Sequence, residues 1–145
     1  MKIMFVCTGN TCRSPMAEAI AKSILPSDEY EVISRGISVF EPSPASENAR
    51  KAAQLNGLSL EDHVSKQITE EDINESDVIF TMTGAHKQMI ASVCNRLNKP
   101  VFTLAEFTGH SEDISDPYGG SLEVYERCFD MLKEYITEAA DIIER

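Results

Sequence analysis

Short apolar runs rich in Ile, Val and Phe alternate along this chain with longer stretches whose apolar residues recur every three or four positions. Runs at residues 3–7, 30–34, 78–82 and 101–104 are bounded by turn-forming or polar residues and read as buried strands. The stretches between them read as helices. Ser14-Pro15 opens the first, with Pro at a tolerated early position and Met16, Ile20 and Ile24 on one face. Ser43-Pro44 opens a second, which Gly57 closes. Thr69-Glu70-Glu71-Asp72 has the form of a capping signal for a short third. Met89, Ile90, Val93, Cys94 and Leu97 share helical spacing in a fourth. Leu122, Tyr125, Phe129, Leu132, Ile136, Ala139 and Ile143 form one stripe of a long last helix.

This alternation predicts a single α/β domain over residues 1–145, with a parallel sheet covered by helices on both faces. No repeat or linker divides the chain. In such sheets ligands bind beyond the carboxyl ends of the strands, where the topology reverses. The loop after the first strand commonly forms that place. Here it reads Cys7-Thr8-Gly9-Asn10-Thr11-Cys12-Arg13-Ser14.

A Cys-x5-Arg pair alone is a weak signal, and its setting strengthens it. Small and polar residues let successive backbone N–H groups turn inward as an anion nest, and the following helix adds the positive end of its dipole. Arg13 can grip two phosphate oxygens in a bidentate fork. The same field stabilises a thiolate at Cys7, and Ser14 can donate it a hydrogen bond. A nucleophile of this kind also needs a proton donor for the leaving group. Asp116, in Asp116-Pro117-Tyr118-Gly119-Gly120, is the candidate, since it follows the last strand and should reach the same sheet edge. The same five residues also suit a plain turn before a helix.

Bulk composition narrows the chemistry. Thirteen Lys and Arg stand against 24 Asp and Glu, a net charge of −11. A surface this acidic repels a nucleic-acid backbone, so nucleic acid is not an expected partner. No apolar window reaches about 18 residues, so no membrane span is expected. The opening MKIMFVCTGN lacks the form of a signal peptide, which makes the cytoplasm the expected compartment. Cys7, Cys12, Cys94 and Cys128 are then expected as reduced thiols. Their spacing, with no supporting histidine nearby, suits no zinc site, and no metal is expected.

These residues resemble the low-molecular-weight protein tyrosine phosphatases over essentially the whole chain. The likeness is strongest in Val6-Cys7-Thr8-Gly9-Asn10-Thr11-Cys12-Arg13-Ser14-Pro15-Met16-Ala17-Glu18 and in Asp116-Pro117-Tyr118. The resemblance implies a four-stranded parallel, Rossmann-like sheet and a two-step reaction through a phosphocysteine, without metal or cofactor. It implies Cys7 as nucleophile, Arg13 as phosphate clamp and Asp116 as general acid, then base. Thr8, Gly9, Asn10, Thr11, Cys12, Arg13 and Ser14 would bind the phosphate, with Asn10 and Ser14 holding the loop and the thiolate. Cys12 would be the family's second cysteine, able to form a disulfide with Cys7 under oxidation. A monomer acting on phosphorylated proteins is expected.

Within that family the chain is most similar to the bacterial protein-arginine phosphatases. Thr11 stands where tyrosine-directed members carry Ile or Leu, and Phe40 and Tyr118 would form pocket walls. A phosphorylated guanidinium carries N–H donors that would be left unpaired against an aliphatic wall, and a Thr hydroxyl can accept from them. Phosphoarginine is therefore the expected substrate and phosphotyrosine the alternative. A thiol-dependent arsenate reductase needs a closely spaced downstream cysteine pair, which Cys94 and Cys128 are not. A noncatalytic phosphate-binding module would not need Arg13 and Asp116 together. His63 is expected as a structural polar group, and His86 and His110 as surface residues. Cys94, Cys128, Tyr125 and Tyr135 are expected as core packing. Arg35 receives no role.

Overall fold

A computed structural model describes residues 1–145. Its four parallel strands are β1 (Lys2–Cys7), β2 (Glu31–Gly36), β3 (Val78–Thr81) and β4 (Val101–Thr103). They form one parallel sheet, as the alternation predicted, in the order β2-β1-β3-β4. The helices are α1 (Arg13–Ile24), α2 (Glu47–Leu55), α3 (Glu70–Glu75), α4 (Gly84–Arg96), α5 (Leu104–Thr108) and α6 (Leu122–Ile143). From β1 the chain crosses to β2 on one side, then returns past β1 to β3 on the other. The two crossovers diverge at β1, so the loop after Cys7 opens at the point where the topology reverses.

Strand residues point alternately to the two faces, and each face has its own helices. Ile3, Phe5, Cys7 and Phe80 pack with Met16 and Ile20 of α1, the alanines of α2, Leu104 of α5, and Phe129 and Leu132 of α6. Met4, Val6 and Ile79 pack on the other side with Ile73 of α3 and with Ile90 and Cys94 of α4. Phe80 anchors the larger core, stacked on Phe5 at 5.7 Å between ring centroids and edge-on to Phe107 at 4.9 Å. A core built on both faces of β1 holds the strand rigidly, and with it the loop it feeds.

Several elements differ from the sequence expectation. The second helix does not open at Ser43-Pro44. Ser43 instead exchanges bonds with Ser65 and Pro44 bridges Val64, so the helix starts at Glu47 with Ser46 before it. Helix α5 was not foreseen, because its first residues continue the apolar run of β4. Thr103 ends the strand and also caps the helix, exchanging side-chain bonds with Glu106 in a capping box. Ile24 and Met89, expected on buried faces, are exposed. The capping box at Thr69 and Asp72 forms as read, and the stripe on α6 is buried apart from half-exposed Leu122 and Ile143. No helix is long and apolar enough to cross a membrane.

Candidate active site

The loop from Cys7 to Ser14 is built around one unusual backbone residue. Asn10 has φ of 57°, the left-handed region that Asn tolerates better than most side chains. Its every polar group is engaged. The Asn10 amide donates to Ser14 Oγ at 2.8 Å and Ser34 Oγ at 3.0 Å, and its Oδ1 accepts the Lys66 N–H at 3.0 Å. Its carbonyl lies 2.7 Å from His63 Nε2, and its N–H donates to Cys7 Sγ at 3.3 Å. His63, expected as a structural polar group, thus holds the loop from behind.

Cys7 is buried at the end of β1, with Ser14 Oγ 2.9 Å from its sulfur. Ser14 Oγ already accepts from Asn10, which leaves the hydroxyl proton free to donate to a thiolate. The chain of bonds continues outward, because Ser34 donates to Glu18 Oε1 at 2.6 Å and so receives the Asn10 amide on its lone pair. Ser34 and Glu18 were not singled out in the sequence. Ser34 is paired with Phe5 in the sheet, a relation no local pattern displays.

Two residues further along β2, Gly36 makes the closest approach to the loop. A Cβ there would lie 2.9 Å from the Thr8 carbonyl oxygen, 3.0 Å from Asn10 Cβ and 2.6 Å from Val39 Cγ2. Only glycine lets β2 end against the loop. Between them, Arg35 is paired with Asp72 at 3.0 Å and so ties β2 to α3.

Arg13 opens α1 with its side chain only 5% exposed. Its Nη1 donates to the Ile114 carbonyl at 2.9 Å, and its Nη2 lies 3.8 Å from Asp116 Oδ2. Its Nε is buried without a protein partner, a donor suited to an anion held in the loop. The structure therefore brings the two distant motifs together. Asp116 is 54% exposed at the loop mouth, with Oδ1 accepting the Tyr118 N–H at 3.0 Å. Its exposure leaves it free to meet a substrate.

Thr11 is half-buried, and its hydroxyl has only the Cys12 sulfur nearby, at 3.8 Å. Cys12 is a buried free thiol whose sulfur lies 3.3 Å from Ser46 Oγ and 3.4 Å from Tyr125 OH. Tyr125 thus does more than pack. Burial first, then that contact, push its hydroxyl up to about 12. Phe40 and Tyr118, expected as pocket walls, are 99% and 78% exposed. Phe40 instead borders a separate cleft with Arg35, Gln67 and Asp72.

The expectation for His86 is overturned. It is buried, not on the surface, and its ring lies between Thr8 and Thr83. Burial first, then the Arg13 charge, hold it down at about 4. The signal available in the sequence was Thr83 three residues earlier, the cap of α4, which places His86 in a first turn facing the sheet edge. His110 is half-buried and stacks on Tyr135 at 4.1 Å. Cys94 and Cys128 are core residues, on opposite faces of the sheet. Burial pushes the Cys128 thiol up to about 12, and the separation leaves no downstream pair for a disulfide relay.

Comparison with known proteins gives the family. The family model described as low molecular weight phosphotyrosine protein phosphatase matches residues 2–145. A protein-arginine-phosphatase of Bacillus subtilis is 43% identical, over 100% of this chain and 98% of its own. The low molecular weight protein-tyrosine-phosphatase PtpB of Staphylococcus aureus is 41% identical, over 99% of each chain. Among solved structures, a mutant of the arginine phosphatase YwlE with a phosphorylated active-site serine superposes with a TM-score of 0.92. It is 40% identical, with 100% of this chain and 97% of that one covered.

Proposed function

The chain belongs to the low molecular weight phosphotyrosine protein phosphatase family, and on that premise we propose that it hydrolyses phosphoarginine in proteins through a phosphocysteine at Cys7. The observation that carries the phosphatase chemistry is the sulfur of Cys7 held by Ser14 and Asn10, beside an Arg13 whose Nε lacks a partner.

The reaction runs in two displacements. The Cys7 thiolate attacks phosphorus as the P–N bond breaks, and Asp116 in its acid form gives its proton to the departing guanidinium nitrogen. The inward N–H groups and Arg13 spread the charge on the equatorial oxygens. Water then attacks the phosphocysteine, Asp116 takes a proton from it, and phosphate leaves with the thiolate regenerated. Proximity of Asp116 to the Arg13 guanidinium keeps the acid beside the transferred group.

Choice of phosphoarginine rests on Thr11. Its hydroxyl is met only by a distant sulfur, so an acceptor remains for guanidinium N–H groups. An aliphatic residue there would leave one or two donors unpaired, at about 1–3 kcal/mol each. Phosphotyrosine is the second reading, favoured by the nearly equal identity to a protein named as a tyrosine phosphatase. The test is kcat/KM for matched phosphoarginine and phosphotyrosine peptides on the wild type and Thr11→Ile. The wild type should prefer phosphoarginine, and the substitution should shift the ratio about ten- to hundredfold towards phosphotyrosine. A wild-type preference for phosphotyrosine that Thr11→Ile leaves unchanged would establish the second reading instead.

A further inference from the structure

Thr8 follows the nucleophile directly, and its side chain is exposed at the mouth of the loop. Its carbonyl accepts the Ser38 N–H at 2.9 Å, which fixes its backbone beside the end of β2. The hydroxyl has one protein partner, His86 Nε2 at 2.8 Å. His86 sits in the first turn of α4, only 5% exposed, and its other ring nitrogen lies 3.1 Å from Thr83 Oγ1. Thr83 Oγ1 also accepts the backbone N–H of His86. Each member of the chain Thr83–His86–Thr8 is anchored. Thr83 receives the Thr81 hydroxyl on its carbonyl at 3.0 Å, and Gly84 at the start of α4 donates its N–H to Asp113 at 3.0 Å.

We propose that His86 is a positioning residue of the active site, holding the Thr8 hydroxyl so that it donates a hydrogen bond to the phosphorylated group in the loop. A neutral imidazole has one N–H and one lone pair, and two tautomers satisfy both of its contacts. With the proton on Nδ1, Thr8 must give its only hydrogen to Nε2 and offers the loop no donor. With the proton on Nε2, Thr83 donates to Nδ1, His86 donates to Thr8 Oγ1, and the Thr8 hydrogen is free. An anionic phosphoryl group selects the second arrangement, because only there does it gain a donor.

Burial favours the neutral ring, in which this choice of tautomer arises. Arg13 opposes a positive His86, while Asp116 and Asp113 favour one less strongly, and burial outweighs all three. A protonated ring would donate from both nitrogens and deprive the Thr83 hydroxyl hydrogen of its Nδ1 acceptor. The inference rests on the residues from Cys7 to Ser14 being the phosphate loop. It does not depend on the choice between phosphoarginine and phosphotyrosine.

The test is a double-mutant cycle with Thr8→Val, His86→Leu and their combination, alongside His86→Gln, whose amide can still donate towards Thr8. The readouts are kcat/KM for para-nitrophenyl phosphate and the inhibition constant of inorganic phosphate, with thermal unfolding followed on each protein. Thr8→Val should lower kcat/KM and weaken phosphate inhibition by about five- to tenfold, the loss of one hydrogen bond to an anion. His86→Leu should match it, the double variant should be no worse than the poorer single, and His86→Gln should recover most of the loss. Losses that multiply in the double variant, or wild-type kinetics in Thr8→Val, would overturn the inference. Thr8 is exposed, so that second result counts even if His86→Leu fails to fold. A wild type without turnover would overturn the phosphatase reading and this inference with it, whereas wild-type turnover with multiplying losses sinks this inference alone.

Discussion

Ser14 Oγ lies 2.9 Å from Cys7 Sγ while accepting the Asn10 amide on one lone pair, so its proton is free to be directed at a thiolate there. A hydroxyl so placed can donate to the sulfur during reaction. It also steadies the thiolate as a leaving group when the phosphocysteine is hydrolysed. Ser14→Ala should lower kcat by about 10- to 100-fold, the range for a hydrogen bond to a charged group. Rapid-quench measurement should locate the larger loss in the hydrolysis of the intermediate. An unchanged kcat would mean that the bond has no part in either step.

Gly36→Ala should disturb the loop from outside it. The new methyl would press on the Thr8 carbonyl and Asn10 Cβ, and a backbone oxygen cannot swing aside as a flexible side chain can. Overpacking of this kind costs about 1–3 kcal/mol. Denaturant unfolding should report that loss, with a disproportionate weakening of inhibition by inorganic phosphate. Retained phosphate affinity would show that the loop adjusts freely.

Asp116→Asn should discriminate between leaving groups. A poor leaving group such as a guanidinium nitrogen needs the proton, while an activated aryl phosphate departs with little help. Single-turnover rates should therefore fall far more for phosphoarginine peptides than for para-nitrophenyl phosphate. Equal losses for both would assign Asp116 a role in the geometry of Arg13, 3.8 Å away, and not in proton transfer.

His86 makes stability depend on acid. Its folded value near 4 lies below the ordinary 6.5, so the unfolded chain binds more protons between those limits and stability falls as pH drops through that window. At about 1.4 kcal/mol for each unit, acidification from pH 6.5 to pH 4 should cost about 3 kcal/mol through this residue. Above 6.5 the contribution is fully present. Urea unfolding across that range, compared between the wild type and His86→Gln, isolates it from the Asp and Glu titrations. Parallel pH profiles for the two proteins would contradict the assignment of a neutral buried ring.

What the sequence displayed was what lies close together along the chain. The loop from Cys7 to Ser14 is eight consecutive residues whose chemistry is visible in order, and the strand and helix around it are strongly patterned. Asp116 was legible from the expectation that the chain after the last strand returns to the same sheet edge, and it does so although α5 intervenes. The supports of the loop were not legible, because parallel pairing brings them from afar. Ser34 meets Asn10 only once β2 lies beside β1, and Gly36 shows its purpose only when Thr8 is 2.9 Å from where a methyl would stand. His86 departs from expectation for the same reason, since the polar character that suggests a surface is here satisfied by two threonines from separate segments. Helix α5 was hidden by a single residue, Thr103, that serves as the end of one element and the cap of the next.

A phosphocysteine formed at Cys7 from phosphoarginine can be caught by rapid trapping. The wild type would be mixed with a phosphoarginine peptide, quenched in acid within milliseconds, and the fragment containing Cys7 examined by mass spectrometry beside a Cys7→Ala control. The wild type should carry a phosphoryl group on Cys7, and the control should show neither adduct nor phosphate release. Phosphate release by Cys7→Ala at a rate near the wild type, or an adduct on another residue, would contradict it.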